Sequence, residues 1–150
     1  MIPEMQAVGV LDKRFLSRSL GLLDPHPPLT VQSGSPAKDA LKLLREHKIG
    51  CVVIVDKLDK ICGIFSERDV VLKLVMTGVD ITATPIDELM TKNPETATMT
   101  TTIAFALNMM SEGGFRHIPV VDDDAVPIGM VSVKSIVDYI VKSVVRDISL

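Results

Sequence analysis

One pattern is written twice along the chain at a fixed distance, and nothing else in it limits the fold so strongly. Val52-Val53-Ile54-Val55-Asp56, followed by Ile61-Cys62-Gly63-Ile64-Phe65-Ser66-Glu67-Arg68-Asp69, predicts strand, short turn, strand and helix start. Val120-Val121-Asp122 and Ile128-Gly129-Met130-Val131-Ser132 repeat it 66 positions on. At that offset Thr96 answers Thr30, Ala106-Leu107 answers Ala40-Leu41, and Glu112 answers Glu46. The match runs without a gap from about residue 30 to 72 against 96 to 138. The second copy ends in Ser135 where the first has Asp69.

A single unit of ~60 residues buries too little surface to be comfortably stable, so two copies should cover each other's open sheet faces about an approximate two-fold axis. The expected fold is α/β (α+β), with two β-α-β-β-α repeats and a short N-terminal helix. The expected division is an arm and helix over 1–23, a first repeat over 24–80 and a second over 81–150.

Leu11, Phe15, Leu16, Leu20 and Leu23 share one side at helical spacing, which predicts an amphipathic helix over Leu11 to Leu23. Asp24-Pro25-His26-Pro27-Pro28 stops it, since prolines remove donors and force extended backbone. Leu29-Thr30-Val31 allows a brief strand. Ser35 is placed to cap the next helix, with Pro36 in its first turn. Ser66 opens another helix, whose buried side should hold Val70, Val71, Leu72, Leu74 and Val75, with Gly78 as its end. Thr84-Pro85 introduces a one-turn helix around Ile86–Met90.

Apolar residues make up 47% of the chain but aromatics only 3%, so the core is aliphatic and offers no stacking platform for single-stranded nucleic acid. The net charge is −3 and the basic residues are scattered, which argues against phosphate-backbone binding. No segment reaches the ~18 apolar residues of a membrane span. A soluble, cytoplasmic protein is expected, with no membrane or nucleic-acid partner. Cys51 and Cys62 fall on adjacent strands and are read as free thiols rather than a disulfide. Histidines and cysteines show no metal-ligand spacing. Asp122-Asp123-Asp124 lacks the alternate spacing and closing Glu of a calcium loop. No metal is expected, and Met90, Met99, Met109, Met110 and Met130 read as core filling.

With its two opening threonines, its Val-Val-Asp strands, its two Gly-x-x-Ser junctions and the segment Phe115-Arg116-His117-Ile118-Pro119-Val120-Val121-Asp122, the chain resembles a stand-alone tandem pair of cystathionine β-synthase (CBS) domains, a Bateman module. The resemblance covers roughly residues 24–146. It implies a non-catalytic regulatory module that binds adenosine nucleotides (AMP, ADP, ATP) or a related adenosyl ligand between its repeats, with no cofactor required. It also implies a homodimer, paired through the apolar faces of 101–112 and 136–145. With no output segment in the chain, the signal should leave through a regulated partner. The other reading is a structural dimerisation module with vestigial clefts. No nucleophile, base and orienting group combine here, and no phosphate-binding glycine motif occurs, so catalysis is not expected.

Each cleft of the resembled family draws on both repeats. In the first, Ser66, Asp69 and Arg68 would hold ribose and phosphate against Thr96 and Phe115, with Arg116 and His117 near the phosphates. A carboxylate accepts from two ribose hydroxyls at once. Ser66-x-x-Asp69 equally reads as a helix capping box, and the two roles can alternate. In the second, Ser132, Lys134 and Ser135 would face Thr30, Ile49 and Gly50. Ser135 cannot accept two hydroxyls, so this cleft is expected to be the weaker by about tenfold.

Overall fold

The computed structural model describes residues 13–148. A helical turn, α1 (Lys13–Leu16), is followed by a turn and a 3-10 segment over Leu20–Leu23. The continuous helix expected over Leu11 to Leu23 is therefore broken, and Leu11 lies outside the described residues. Two bonds to the second repeat cause the break. Leu20 N donates to Thr101 O at 2.8 Å and Gly21 N to Met99 O at 3.0 Å, diverting donors that a helix would use.

The first repeat runs β1 (Thr30–Gln32), α2 (Ala37–His47), β2 (Cys51–Val55), β3 (Ile61–Ser66) and α3 (Glu67–Lys73). After a linker with a 3-10 turn at Ile86–Glu88 come β4 (Thr91–Lys92), α4 (Ile103–Gly113), β5 (His117–Val121), β6 (Pro127–Ser132) and α5 (Val133–Ile148). The first sheet has the order β1-β2-β3-β4 and the second contains β5-β6. The hairpins are superposable in register: Cys51 faces Ser66 as His117 faces Ser132, and both carry a bulge, at Ile54/Val55 and Val120/Val121. The β1 position of the second sheet is reduced to a single parallel bridge between Ala97 and Val120.

A proline explains the second sheet's missing fourth strand. β4 pairs with β3 through Gly63 and Ile64. The equivalent neighbour of Gly129 is Pro25, which has no N–H to give to a ladder. Both glycines are needed for this close approach. A Cβ at Gly63 would lie 2.3 Å from Met90 Sδ and 3.1 Å from Thr91 O; one at Gly129 would lie 2.9 Å from Pro25 Cβ.

Each repeat has its own core, and each core is completed by the segment that leads into the other repeat. Phe15 and Leu20 pack with Ile103, Ile118, Val120, Val131 and Ile136 of the second repeat. Ile86, Leu89 and Met90 pack with Val31, Leu44, Val52, Ile54 and Phe65 of the first. The Phe15 ring also stacks on Tyr139 of α5, with centroids 5.7 Å apart. On the opposite face of β2, Cys51, Val53 and Val55 are buried as well, as two repeats covering each other's open faces require.

Helix starts follow the same exchange. Pro36, not Ser35, occupies the cap of α2 and makes no side-chain cap. Instead Ala37 N and Lys38 N donate to the linker carbonyls of Thr84 and Ile81 at 2.9 Å each. In the second repeat Thr102 supplies the cap directly, accepting from Phe105 N at 3.1 Å. Asp87 braces the linker by accepting from Ser33 Oγ and from Gly34 N. Although its partial burial opposes ionisation, these bonds hold its carboxyl below the usual range.

α3 ends at Lys73, short of Gly78, and buries less than its sequence suggests. Val70 and Leu74 pack on the first core, whereas Val71, Leu72 and Val75 are exposed. A helix buries one stripe, and Val71 and Leu72 lie off it. Cys51 and Cys62 are both free. Among the described residues no helix is long and apolar enough to cross a membrane.

Gly63→Ala and Gly129→Ala should each lower stability by ~1–3 kcal/mol, by overpacking against a neighbour. The cost should be larger at Gly129, because a proline ring yields less than a methionine chain. Urea midpoints at unchanged m-value check this, and wild-type midpoints for both variants would refute the close packing.

Candidate functional site

The two strand-to-helix junctions share a backbone and differ in chemistry. At the first, Ser66 leaves β3 in extended conformation and caps α3. Asp69 Oδ2 accepts from Ser66 N at 2.9 Å and from Ser66 Oγ at 3.2 Å, while Ser66 Oγ accepts from Asp69 N at 3.4 Å. The capping-box reading therefore holds, with Asp in place of Glu. Asp69 is only 7% exposed, and a carboxylate so buried needs partners. Its second oxygen has them: Lys73 Nζ at 3.1 Å and Thr91 Oγ1 at 3.5 Å. Lys73 also donates to Leu89 O at 2.8 Å, which ties α3 to the linker.

Arg68 does not point to open space. Its Nη1 donates to Gly114 O at 2.7 Å, the carbonyl at the end of α4, and so crosses from the first repeat to the second. Phe115 packs on the second core with its ring over Gly113, where a Cβ would lie 2.0 Å from Cε1. Thr96 is half-buried.

At the second junction the acid's place is taken by a hydroxyl. Ser135 Oγ accepts from Ser132 N at 2.8 Å and donates to Ser132 O at 2.7 Å; Ser132 Oγ accepts from Ser135 N at 3.0 Å. This neutral pair caps α5 as Ser66 and Asp69 cap α3. Lys134, at the position of Arg68, turns back along its own helix to Asp138 at 2.7 Å and spans nothing.

Beside this second junction lies a cavity of about 1190 Å³. Its walls come from both repeats. Ile49 and Gly50 stand on one side, with Ser132, Lys134 and Ser135 on the other, and Arg116 and His117 also line it. Of the residues expected at the second cleft, Thr30 does not line this cavity; it is exposed on β1. Of those expected at the first, Arg116 and His117 line it, whereas Ser66, Arg68, Asp69, Thr96 and Phe115 do not.

The remaining walls were not foreseen from sequence. They are the proline strap from Leu23 to Leu29, with Lys48, Cys51, Glu67, Met130, Val133 and Val137. A signal for the strap was present, because Leu20 and Leu23 stand 66 positions before the apolar Ile86 and Leu89. The internal repeat thus extends further back than its motifs.

His117 and Arg116 occupy the places that Cys51 and Gly50 hold in the first repeat. Glu67 N donates to Gly50 O and Val133 N to Arg116 O, an equivalent pair of bonds at 3.0 and 3.1 Å. The His117 ring lies over Gly50, where a Cβ would come within 3.0 Å of its Nε2. Burial holds His117 below its ordinary value; Glu67 opposes this and Arg116 adds to it. Burial, reinforced by the nearby Asp69 charge, pushes the Cys51 thiol up to about 12. Cys51 is thus an inert core thiol at neutral pH.

The family model of the CBS domain matches residues 23–75 and 86–142, so the chain belongs to the CBS domain family. It is 32% identical over 98 residues to an uncharacterized 17.7 kDa protein of Acidianus ambivalens, a match covering 65% of this chain and 58% of that protein. Among solved structures, the CBS-domain containing protein ATU1752 of Agrobacterium tumefaciens superposes with a TM-score of 0.74 at 27% identity, over 85% of this chain and 97% of that one. The CBS domain pair of protein MJ0100, in complex with 5′-methylthioadenosine and S-adenosyl-L-methionine, superposes with a TM-score of 0.72 at 28% identity, over 81% and 98%.

Asp69→Ala should lower stability by about 1–2 kcal/mol without any ligand, because it removes the α3 cap. The Lys73 pair, one-third exposed, should add little. Urea unfolding of the free protein checks this, and an unchanged midpoint would show that Asp69 is not held as the structure describes.

Proposed function

We propose that this chain is a non-catalytic regulatory module of the cytoplasm that binds an adenosyl ligand between its two repeats and passes the signal to a partner protein. The observation that carries the proposal is the cavity built from both repeats, large enough for a nucleotide and lined by Lys48, Arg116 and Lys134. The adenosyl class is supported by the MJ0100 domain pair, which was captured with two adenosyl compounds. AMP, ADP, ATP and S-adenosyl-L-methionine are the ligands to compare.

Of the two clefts inferred from sequence, the one beside Ser132, Lys134 and Ser135 is the better prepared to receive a ligand. Arg116 and His117 serve it as the phosphate-facing residues. A ligand in the cleft of Ser66, Arg68, Asp69, Thr96 and Phe115 would have to displace the Arg68–Gly114 bond and share Asp69 Oδ1 with Lys73. The expected order of affinities is therefore reversed.

Isothermal titration with AMP, ATP and S-adenosyl-L-methionine tests this. One ligand per chain is expected, and Val133→Trp, whose indole would intrude on the cavity beside Ser132 and Ser135, should weaken it. No binding of any of the three at millimolar concentration sinks the proposal.

The pH dependence follows from His117. A phosphate beside the ring favours its protonated form, so binding takes up a proton and tightens as pH falls from about 7.5 to 6. AMP's own second ionisation, near pH 6, works against this, so wild type is compared with His117→Gln. Identical pH profiles for the two proteins would remove His117 from the site.

A homodimer is part of the same proposal. Phe105 on α4, 59% exposed, and Val137 and Val141 on α5 leave apolar side chains uncovered on the two segments expected to pair. Light scattering should give twice the chain mass for wild type and the chain mass for the double variant Phe105→Glu, Val141→Glu. A monomeric wild type refutes the pairing.

A further inference from the structure

We propose that Lys48 reads the length of the ligand's phosphate chain, so that the cavity holds ATP more tightly than AMP. The proposal rests on the adenosyl-binding reading above and names which ligand of that class the site selects.

Lys48 stands where the fold asks for a glycine. It closes α2 with φ 52° and ψ 44°, in the left-handed region, and its N–H donates to Leu44 O. The residue 66 positions on, which closes α4 in the same way, is Gly114, with φ 69° and its N–H donating to Met110 O. A side chain in this region carries a cost that glycine escapes. Among the described non-glycine residues with positive φ, Asp24, Asp59 and Asn93 are of the types that tolerate it, and Lys48 is not. The backbone is the worse for this lysine, which points to a use for its side chain outside the fold.

That use lies in the cavity, which Lys48 lines. Lys48 is exposed, and among the described residues its ammonium has neither an ion pair nor a hydrogen bond. The approximate two-fold relation brings a second amine to the same corner. At the first junction Arg68 reaches Gly114 O at 2.7 Å; Lys134 and Lys48 hold those two places at the second, and both line the cavity. The start of α5 is therefore within a long side chain's reach of Lys48. Lys134 turns away to Asp138, in an exposed pair that a phosphate can replace.

Arg116 adds a third cation from the entry to β5. Against these three stand two lining carboxylates, Asp24 on the strap and Glu67 at the start of α3, and Glu67 is close enough to His117 to act on its ionisation. The balance remains positive, and each further phosphate brings more negative charge to it. A single phosphate can engage Arg116, whereas a chain of three can engage Arg116 and the lysine pair together. The cavity has room for one: about 1190 Å³, against roughly 300–1,000 Å³ for common small-molecule sites.

Isothermal titration of AMP, ADP and ATP without magnesium, on wild type, Lys48→Arg and Lys48→Gly, tests this. Wild type should bind ATP about tenfold or more tighter than AMP, with ADP between. Lys48→Gly should bind ATP about five- to tenfold more weakly than wild type does, and AMP within about twofold. Its urea midpoint should rise at the same time, because glycine relieves the left-handed backbone. Lys48→Arg keeps the charge and should bind as wild type does.

A lysine that merely ends a helix would give Lys48→Gly the higher midpoint with unchanged binding, and that result overturns the proposal. So does equal affinity of wild type for AMP and ATP, or an equal loss of both in Lys48→Gly. S-adenosyl-L-methionine bound alone, with no nucleotide, overturns it too but leaves the adenosyl reading standing. If no adenosyl compound binds wild type, that reading itself falls, and this inference with it.

Discussion

Two backbone hydrogen bonds hold the remainder of the molecule in place: Leu20 N to Thr101 O and Ile86 N to Ser35 O, each 2.8 Å. They are the same bond made twice, 66 residues apart, and each crosses from one repeat's leading segment to the other repeat's helix entrance. Behind them go Phe15 and Leu20 into the second core, and Ile86, Leu89 and Met90 into the first. A repeat cut away from its partner would lose fully buried side chains, each worth about 1.5–3 kcal/mol of burial. The same exchange builds the cleft. Once Leu20 is anchored, the chain must return across the molecule to β1, and its path from Leu23 to Leu29 becomes a wall of the cavity. Core completion and site construction are one event.

On this near-symmetric frame a few side chains decide what each cleft can do. Asp69 and Ser135 close equivalent caps, one with an acid and one with a hydroxyl. Arg68 and Lys134 start equivalent helices, yet Arg68 reaches the opposite repeat and Lys134 folds back on Asp138. Gly50 and Cys51 in the first repeat face Arg116 and His117 in the second, which places the basic residues of the midline on one side only. The absence of a side chain at Gly50 gives the His117 ring its place.

Much of this was legible in the sequence, and for a definite reason. The hairpins Cys51–Val55 with Ile61–Ser66, and His117–Val121 with Pro127–Ser132, alternate on a period of two and repeat at one offset, so each copy corroborated the other. The capping box was legible because its spacing is local. Partners from distant segments were not. That Thr84 and Ile81 carbonyls would cap α2 in place of Ser35, or that Arg68 would find Gly114, depends on how two segments dock, which no local spacing records. The run Val70-Val71-Leu72 misled for a related reason. Its hydrophobicity suggested burial throughout, but a helix of two turns presents only one stripe to its core, and Val71 and Leu72 remain outside. The proposed reversal of the two clefts has a related ground: a carboxylate is the stronger grip in isolation, but its existing commitments decide whether a ligand can use it.

The energetics of those commitments favour the cleft without the acid. To use Asp69, a ligand must disturb a buried carboxylate already satisfied by Ser66, Lys73 and Thr91. It must also release Arg68 from Gly114 O, an exposed bond that water can replace at little loss. Hydrogen bonds to a charged group are worth ~1.5–3 kcal/mol, so a ligand must outbid those of the buried Asp69 carboxylate before gaining anything. The competing commitment of Lys134 is an exposed helix-surface pair with Asp138, of a kind worth only about 0.3–0.5 kcal/mol. Lys134 can therefore swing from its helix to a phosphate at almost no loss. Ser132 Oγ accepts from Ser135 N and, among the described residues, donates to no acceptor that a ligand would have to displace. The weaker group at the second junction thus leaves the more available site, because what a ligand gains is the difference between a new contact and the one it replaces.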